Sequence, residues 1–226
     1  MTELTTNGWA LFTVLFTGML IITFFMAKQA ERFYTKDPVR RKFSIMELEI
    51  PASAKELYNL IRGLYALSPV ESKKAISALK GQLMLDFVFM PFAYGSIFVI
   101  CWQVANKMGS KWGQVAFLIL AFLQLIPWIC DIIENVYLLG KIKPGNKDIA
   151  TLPKAEQEVI NQKHKRYLWM EAAKWGIALT AAVCAISAVC YFWLSGSYTA
   201  PSSLYFFIVL AEIIVFGIIS SKMSKG

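Results

Sequence analysis

Leu83-Met84-Leu85-Asp86-Phe87-Val88-Phe89-Met90-Pro91-Phe92-Ala93-Tyr94-Gly95-Ser96-Ile97-Phe98-Val99-Ile100-Cys101-Trp102-Gln103-Val104-Ala105 contains a single charged side chain, Asp86. A helix rises about 1.5 Å per residue, so this run reaches roughly 35 Å, enough to cross a hydrocarbon core of about 30 Å. The same test finds four more runs. The first is Gly8 to Ala27, which carries no charge. Another extends from about Gly113 to Gly140, with Asp131 and Glu134 in its last third. A fourth extends from about Leu168 to Leu194, with Glu171 and Lys174 near its start. The last, about Ser203 to Ser220, is shorter and holds Glu212. These runs predict an all-α integral membrane protein, a bundle of five transmembrane helices forming one membrane domain over residues 1–226.

Composition points the same way. Hydrophobic residues make up 57% and charged residues 17% of the 226, and the mean hydropathy is +0.50. A soluble domain carries about 25% charged residues. The first run does not read as a cleavable signal. No basic segment precedes it, its apolar stretch is too long, and Lys28 follows without a small-residue cleavage site. It is expected to stay as an anchor.

The net charge of +8 is unevenly placed. Eleven Lys and Arg lie between Lys28 and Lys80, and seven between Lys141 and Arg166. Lys107 and Lys111 flank the short loop after the second run, 196–202 has none, and Lys222 and Lys225 follow the fifth run. The positive-inside rule then puts the N-terminus outside and the C-terminus in the cytoplasm of a cell membrane, here a bacterial inner membrane. An odd number of crossings requires that same asymmetry. The basic segments suit the lipid bilayer and its anionic headgroups as partners, rather than nucleic acid. Cys101, Cys130, Cys184 and Cys190 all fall inside the runs without a CxxC, so they read as packing residues and no metal or cofactor is expected.

Two segments, 28–82 and 141–167, should form a small cytoplasmic α or α/β elaboration. Lys28 to Lys42 reads as a charged connector containing Pro38. Met46-Glu47-Leu48-Glu49-Ile50 alternates in the manner of a half-buried strand, although no second strand accompanies it. Ser53 should cap a helix to about Leu67 with Leu57, Leu60, Ile61 and Leu64 on one face. Ser68-Pro69-Val70-Glu71 is a helix start that should continue into the second run. Lys143-Pro144-Gly145-Asn146 is a turn, and Thr151 and Pro153 begin the helix that becomes the fourth run.

Ionisable groups in a membrane are costly, by about 2.5–3.5 kcal/mol at mid-depth, so they mark candidate sites. Chain direction brings Asp86, Asp131, Glu134, Asn135, Glu171 and Lys174 to one level near the cytoplasmic face. Asp131, Glu134 and Asn135 share one helix side. Pro91 and Pro127 each free a carbonyl nearby. Three readings stay open. In one, Lys174 and Arg166 neutralise the acids and the network fixes helix packing. In another, a pocket open to the cytoplasm takes a cation, a proton or a lipid headgroup. In a third, the acids hold a divalent metal against a lipid phosphate. Glu212 is separate, with Gln124 as its expected partner at mid-depth. Gly176, Thr180, Cys184 and Ala188 form a small-residue stripe suited to helix packing or to a homo-oligomer. Trp102, Trp112, Tyr191, Trp193 and Tyr198 read as an interfacial belt.

Leu85-Asp86-Phe87-Val88-Phe89-Met90-Pro91-Phe92-Ala93-Tyr94 resembles an LDFxFxPxY segment, and Asp131-Ile132-Ile133-Glu134-Asn135-Val136-Tyr137-Leu138-Leu139 resembles a DxxENxxLL segment. Following an acidic-apolar stretch like Met46 to Ile50, the pair is similar to a group of small uncharacterised bacterial multi-pass membrane proteins. The resemblance covers about residues 43 to 140. It implies no substrate, but it marks Asp86, Asp131, Glu134 and Asn135. The functional expectation is a non-enzymatic membrane component with a cytoplasm-facing polar cluster, acting in assembly or in ion or lipid binding, with a membrane protein or a second copy as partner. The alternative is a channel or transporter subunit, and a metal-dependent lipid-modifying membrane enzyme comes third.

Overall fold

The computed structural model describes residues 2–145, 148–197, 207–208, 210–218 and 221. The elements are α1 (Thr2–Ala30), β1 (Tyr34–Lys36), β2 (Arg40–Lys42), α2 (Ile45–Glu49), α3 (Ala54–Tyr65), α4 (Pro69–Lys107), α5 (Lys111–Leu123), α6 (Leu125–Lys141), a 3-10 turn (Ile149–Thr151) and α7 (Lys154–Leu194). Among the described residues, four helical stretches are long and apolar enough to cross a membrane: Gly8–Ala30, Pro69–Lys107, Lys111–Lys141 and Lys154–Leu194. The predicted fifth crossing, 203–220, lies partly outside the described residues. Its described part, 207–208 and 210–218, is helical.

The chain forms two compact units, and α1, α4, α6 and α7 contribute residues to both. The first unit comprises residues 1–23, 88–131 and 173–218. Its core joins Trp9 and Phe12 of α1, Ile100, Cys101 and Val104 of α4, Ala121 of α5, and Ala181, Ala185, Val189 and Phe192 of α7. Gly8 lies against Gln103, Leu15 against Gly95, and Gly18 against Phe92, an antiparallel pairing of α1 and α4 in which the glycines permit close approach. Large apolar side chains such as Val14, Trp112 and Val183 point outward, and Trp112 is 87% exposed. An apolar exterior of this kind suits lipid. The packing face of α7 is the Ala181–Ala185 side. Of the expected stripe, Gly176, Thr180 and Cys184 are exposed, with nothing within 4 Å of a Cβ built at Gly176, whereas Ala188 packs against the core. The Ala181–Ala185 face is also small-sided, with Ala178, Ala181 and Ala185 buried and Val189 and Phe192 following toward the helix end.

The third predicted crossing is two helices, broken at Gln124. Pro127 has no N–H with which to hold the carbonyl of Leu123, so the ladder loosens there. The Gln124 N–H turns to the Ala121 carbonyl at 3.1 Å. The Leu120 carbonyl it would have held accepts instead from Gln124 Nε2 at 3.0 Å.

The second unit comprises residues 24–87, 132–172 and 219–226. As expected, Ser53 caps α3, and Leu57, Leu60, Ile61 and Leu64 are buried. They pack with Phe33 and Phe43, with Ala75, Leu79 and Leu83 of α4, and with Leu138 and Ile142. Two sequence readings are corrected here. The supposed connector holds an antiparallel hairpin with Tyr34 opposite Lys42, closed by a turn with a cis Asp37–Pro38 bond. Its aromatic flanks, Phe33 and Phe43, stack at 5.2 Å. Of the supposed strand Met46–Ile50, residues 46–49 lie in α2 and Ile50 is its C-cap. Ser44 Oγ accepts from the Glu47 N–H while Glu47 accepts from the Ser44 N–H, a capping box that starts a helix. Leu48 alone enters the core, whereas Met46 and Ile50 stay 42% and 41% exposed. The turn is present at Pro144–Gly145, where Gly145 has φ +83°, while Asn146 lies outside the described residues.

Candidate functional site

Each unit brings part of the predicted polar cluster together. In the first unit, Asp131 projects from α6 and Lys174 from α7, both buried. Lys174 Nζ lies 2.8 Å from Asp131 Oδ1, and the hydroxyl of Tyr94 on α4 donates to Oδ2 at 2.5 Å. Both carboxylate oxygens are therefore engaged, one by a charge and one by a neutral donor, and three helices are tied at one point. Tyr94 satisfies the second carboxylate oxygen, which lowers the cost of holding the pair away from water.

In the second unit, Asn135 on α6 is 1% exposed. Its Nδ2 donates to Asp86 Oδ2 at 2.7 Å and reaches the Leu83 carbonyl at 3.4 Å. Asp86 and Asn135 thus face one another, as their positions on the two helices suggested. Glu134, the neighbour of Asn135, is 2% exposed. The Tyr167 hydroxyl on α7 approaches Glu134 Oε1 at 3.2 Å and donates to the Glu49 carbonyl at 2.7 Å. A phenol has one proton to give, so the shorter bond takes most of it. Glu171 lies one turn beyond Tyr167 on the same helix face and is also buried. His164 and Tyr137 flank the Tyr167 ring, with centroids 6.3 and 5.3 Å away.

Arg166 is exposed, and no ion pair joins it to these acids among the described residues. Glu212 accepts from the Thr17 hydroxyl at 2.5 Å, so α1 supplies the partner that Gln124 was expected to supply. Gln124 is occupied with its own helix break. Tyr94, Tyr167 and Glu49 belong to the networks but were not singled out from sequence. Tyr167 had a readable signal, its four-residue spacing from Glu171. Tyr94 ends one of the two familiar segments. The Glu49 carbonyl had none, because only folding places it beside α7.

The arrangement offers carboxylates with neutral donors in one unit and a closed ion pair in the other. What these contacts do chemically is tie neighbouring helices together through hydrogen bonds and one buried ion pair. Among the described residues, no three His, Cys, Asp or Glu are grouped so as to hold a metal ion. No protein-family model, curated protein or solved structure matches the chain.

Proposed function

We propose that this chain is a non-enzymatic, multi-pass component of a bacterial inner membrane whose buried polar networks set a defined helix arrangement for assembly. It has five crossings, the N-terminus outside and the C-terminus in the cytoplasm. The hairpin, α2 and α3 form its cytoplasmic elaboration. What carries the reading is Asp131, a buried carboxylate with both oxygens engaged by groups from two other helices. A catalytic or transporting carboxylate needs an oxygen available to its substrate, whereas a structural one needs both satisfied.

A second reading, binding of a cation or a lipid headgroup, is favoured by Glu134, Tyr167 and Glu171, three buried oxygen-bearing side chains. A channel or transporter subunit would extend such a site into a polar path. Thermal unfolding in detergent, with and without divalent ions, together with recovery of partners from solubilised membranes, tests the proposal. Assembly predicts a copurifying membrane protein or a second copy, and a melting temperature indifferent to added ions. A monomer that binds no other chain and melts several degrees higher with a divalent ion would replace assembly by ion binding.

A further inference from the structure

Where α3 ends and α4 begins, the second unit carries an open groove of about 660 Å³. Tyr65, Leu67 and Ile76 supply apolar surface, and Lys73, Ser77 and Lys80 supply donors. Lys73, Ser77 and Lys80 recur at i, i+4 and i+7, so they follow one face of α4. Among the described residues no acid lines the groove. The nearest acid of α4, Glu71, is held by Arg40 at 3.1 Å and by the Ser68 hydroxyl at 2.8 Å. Among the described residues neither lysine takes part in an ion pair, and both are exposed.

Position along α4 narrows the occupant. Lys73 and Lys80 are two turns apart, about 10 Å along the axis, a gap that two flexible four-carbon stems can close on one anion. The apolar run begins at Leu83, roughly 4.5 Å beyond Lys80. A helix that enters the bilayer at Leu83 holds these lysines at headgroup level. A basic cluster immediately cytoplasmic of a span attracts anionic lipid.

We propose that this groove seats the headgroup of an anionic glycerophospholipid, its phosphate between Lys73 and Lys80 and its glycerol backbone against Ile76 and Tyr65. The inference rests on α4 crossing the membrane just past Lys80. An acidic partner peptide suits the groove less well, because two cations outside any ion pair over about two helical turns offer little length for a bound segment, whereas one phosphate uses both.

The test is native mass spectrometry of the detergent-purified, delipidated full chain titrated with phosphatidylglycerol, phosphatidylcholine or glycerol phosphate. Phosphatidylglycerol should bind saturably and phosphatidylcholine and free glycerol phosphate far more weakly. Lys73→Gln/Lys80→Gln should weaken that binding about tenfold, near 1.4 kcal/mol. The charge-matched Lys154→Gln/Lys163→Gln should not, and Lys73→Arg/Lys80→Arg should retain it. If the double Gln variant melts early, the two single variants carry the comparison. Unchanged binding in the Gln variants, equal loss in the charge-matched control, or equal binding of phosphatidylcholine would overturn the proposal. So would tight binding of glycerol phosphate alone, or an acidic polypeptide captured by the lysines in place of lipid. An alkaline carbonate wash separates the two levels of failure. Release of the chain from membranes removes the membrane reading itself, whereas a retained chain without lipid preference removes only the groove.

Discussion

Lys174→Met should leave Asp131 buried with Tyr94 as its only identified partner, and should destabilise the protein by about 3–5 kcal/mol, the usual cost of breaking one side of a buried pair. Asp131→Asn combined with Lys174→Met should recover most of that loss, because no charge then remains uncompensated. A double-mutant cycle from unfolding in detergent measures both, and additive losses would show that the pair is not coupled. Asn135→Leu removes the donor to Asp86 and should cost about 1 kcal/mol, since hydrogen bonds between membrane helices are weaker than their geometry suggests. Both pairings were legible from sequence as depth and helix face. The phenols of Tyr94 and Tyr167 were not, because a tyrosine in an apolar run reads equally as belt, core or ligand until its hydroxyl has a neighbour.

Gly63 shows what a single element requires of its contacts. A Cβ there would sit 2.1 Å from Thr35 Oγ1 and 3.0 Å from the Lys36 nitrogen, so β1 rests directly on α3. Thr35 Oγ1 also donates to the Leu60 carbonyl at 2.9 Å. Gly63→Ala should therefore lower stability by about 1–3 kcal/mol through overpacking, despite alanine's better helix propensity. A thermal melt at or above the wild-type value would count against this packing. Near the same helix, Arg62 lies 2.8 Å from Asp148 and holds its carboxyl below the ordinary aspartate value. A lowered folded-state pKa stabilises above the unfolded pKa, about 3.9, and the contribution disappears as pH falls through the folded value. The melting difference between wild type and Asp148→Asn should accordingly be present near pH 7 and shrink progressively as the pH falls below the unfolded value. A difference that grows on acidification would mean that the ion pair is not its source. Elements were legible where caps and apolar periodicity agreed, as for α3 and the start of α4. The period-2 pattern of Met46–Ile50 misled because five residues cannot distinguish an alternating strand from a single capped turn, and Ser44 with Glu47 decided in favour of the turn.

At the scale of the whole molecule the prediction concerns sidedness. Single cysteines introduced at Thr5 and Ser224 in a background lacking the four native cysteines should label from opposite faces of intact cells and inverted vesicles. Labelling of both from one face would require an even number of crossings, and would remove the common level assigned to Asp86, Asp131 and Glu171. Sequence arithmetic speaks most directly to this scale. Crossing length and basic-residue bias are properties of segments, additive along the chain and independent of which helix touches which.

That additivity marks the division. Composition, the lengths of the apolar runs and the caps by themselves determined a helical chain with, among the described residues, four helices long and apolar enough to cross a membrane. Tertiary structure alone decided that Lys174 and Tyr94 share Asp131, that Thr17 rather than Gln124 meets Glu212, and that α7 packs on Ala181 and Ala185 instead of its glycine stripe. Helix formation and membrane insertion are governed by energies local to a segment. The choice of partner turns on side chains far apart in sequence reaching one another to within about an ångström, and no local term encodes that.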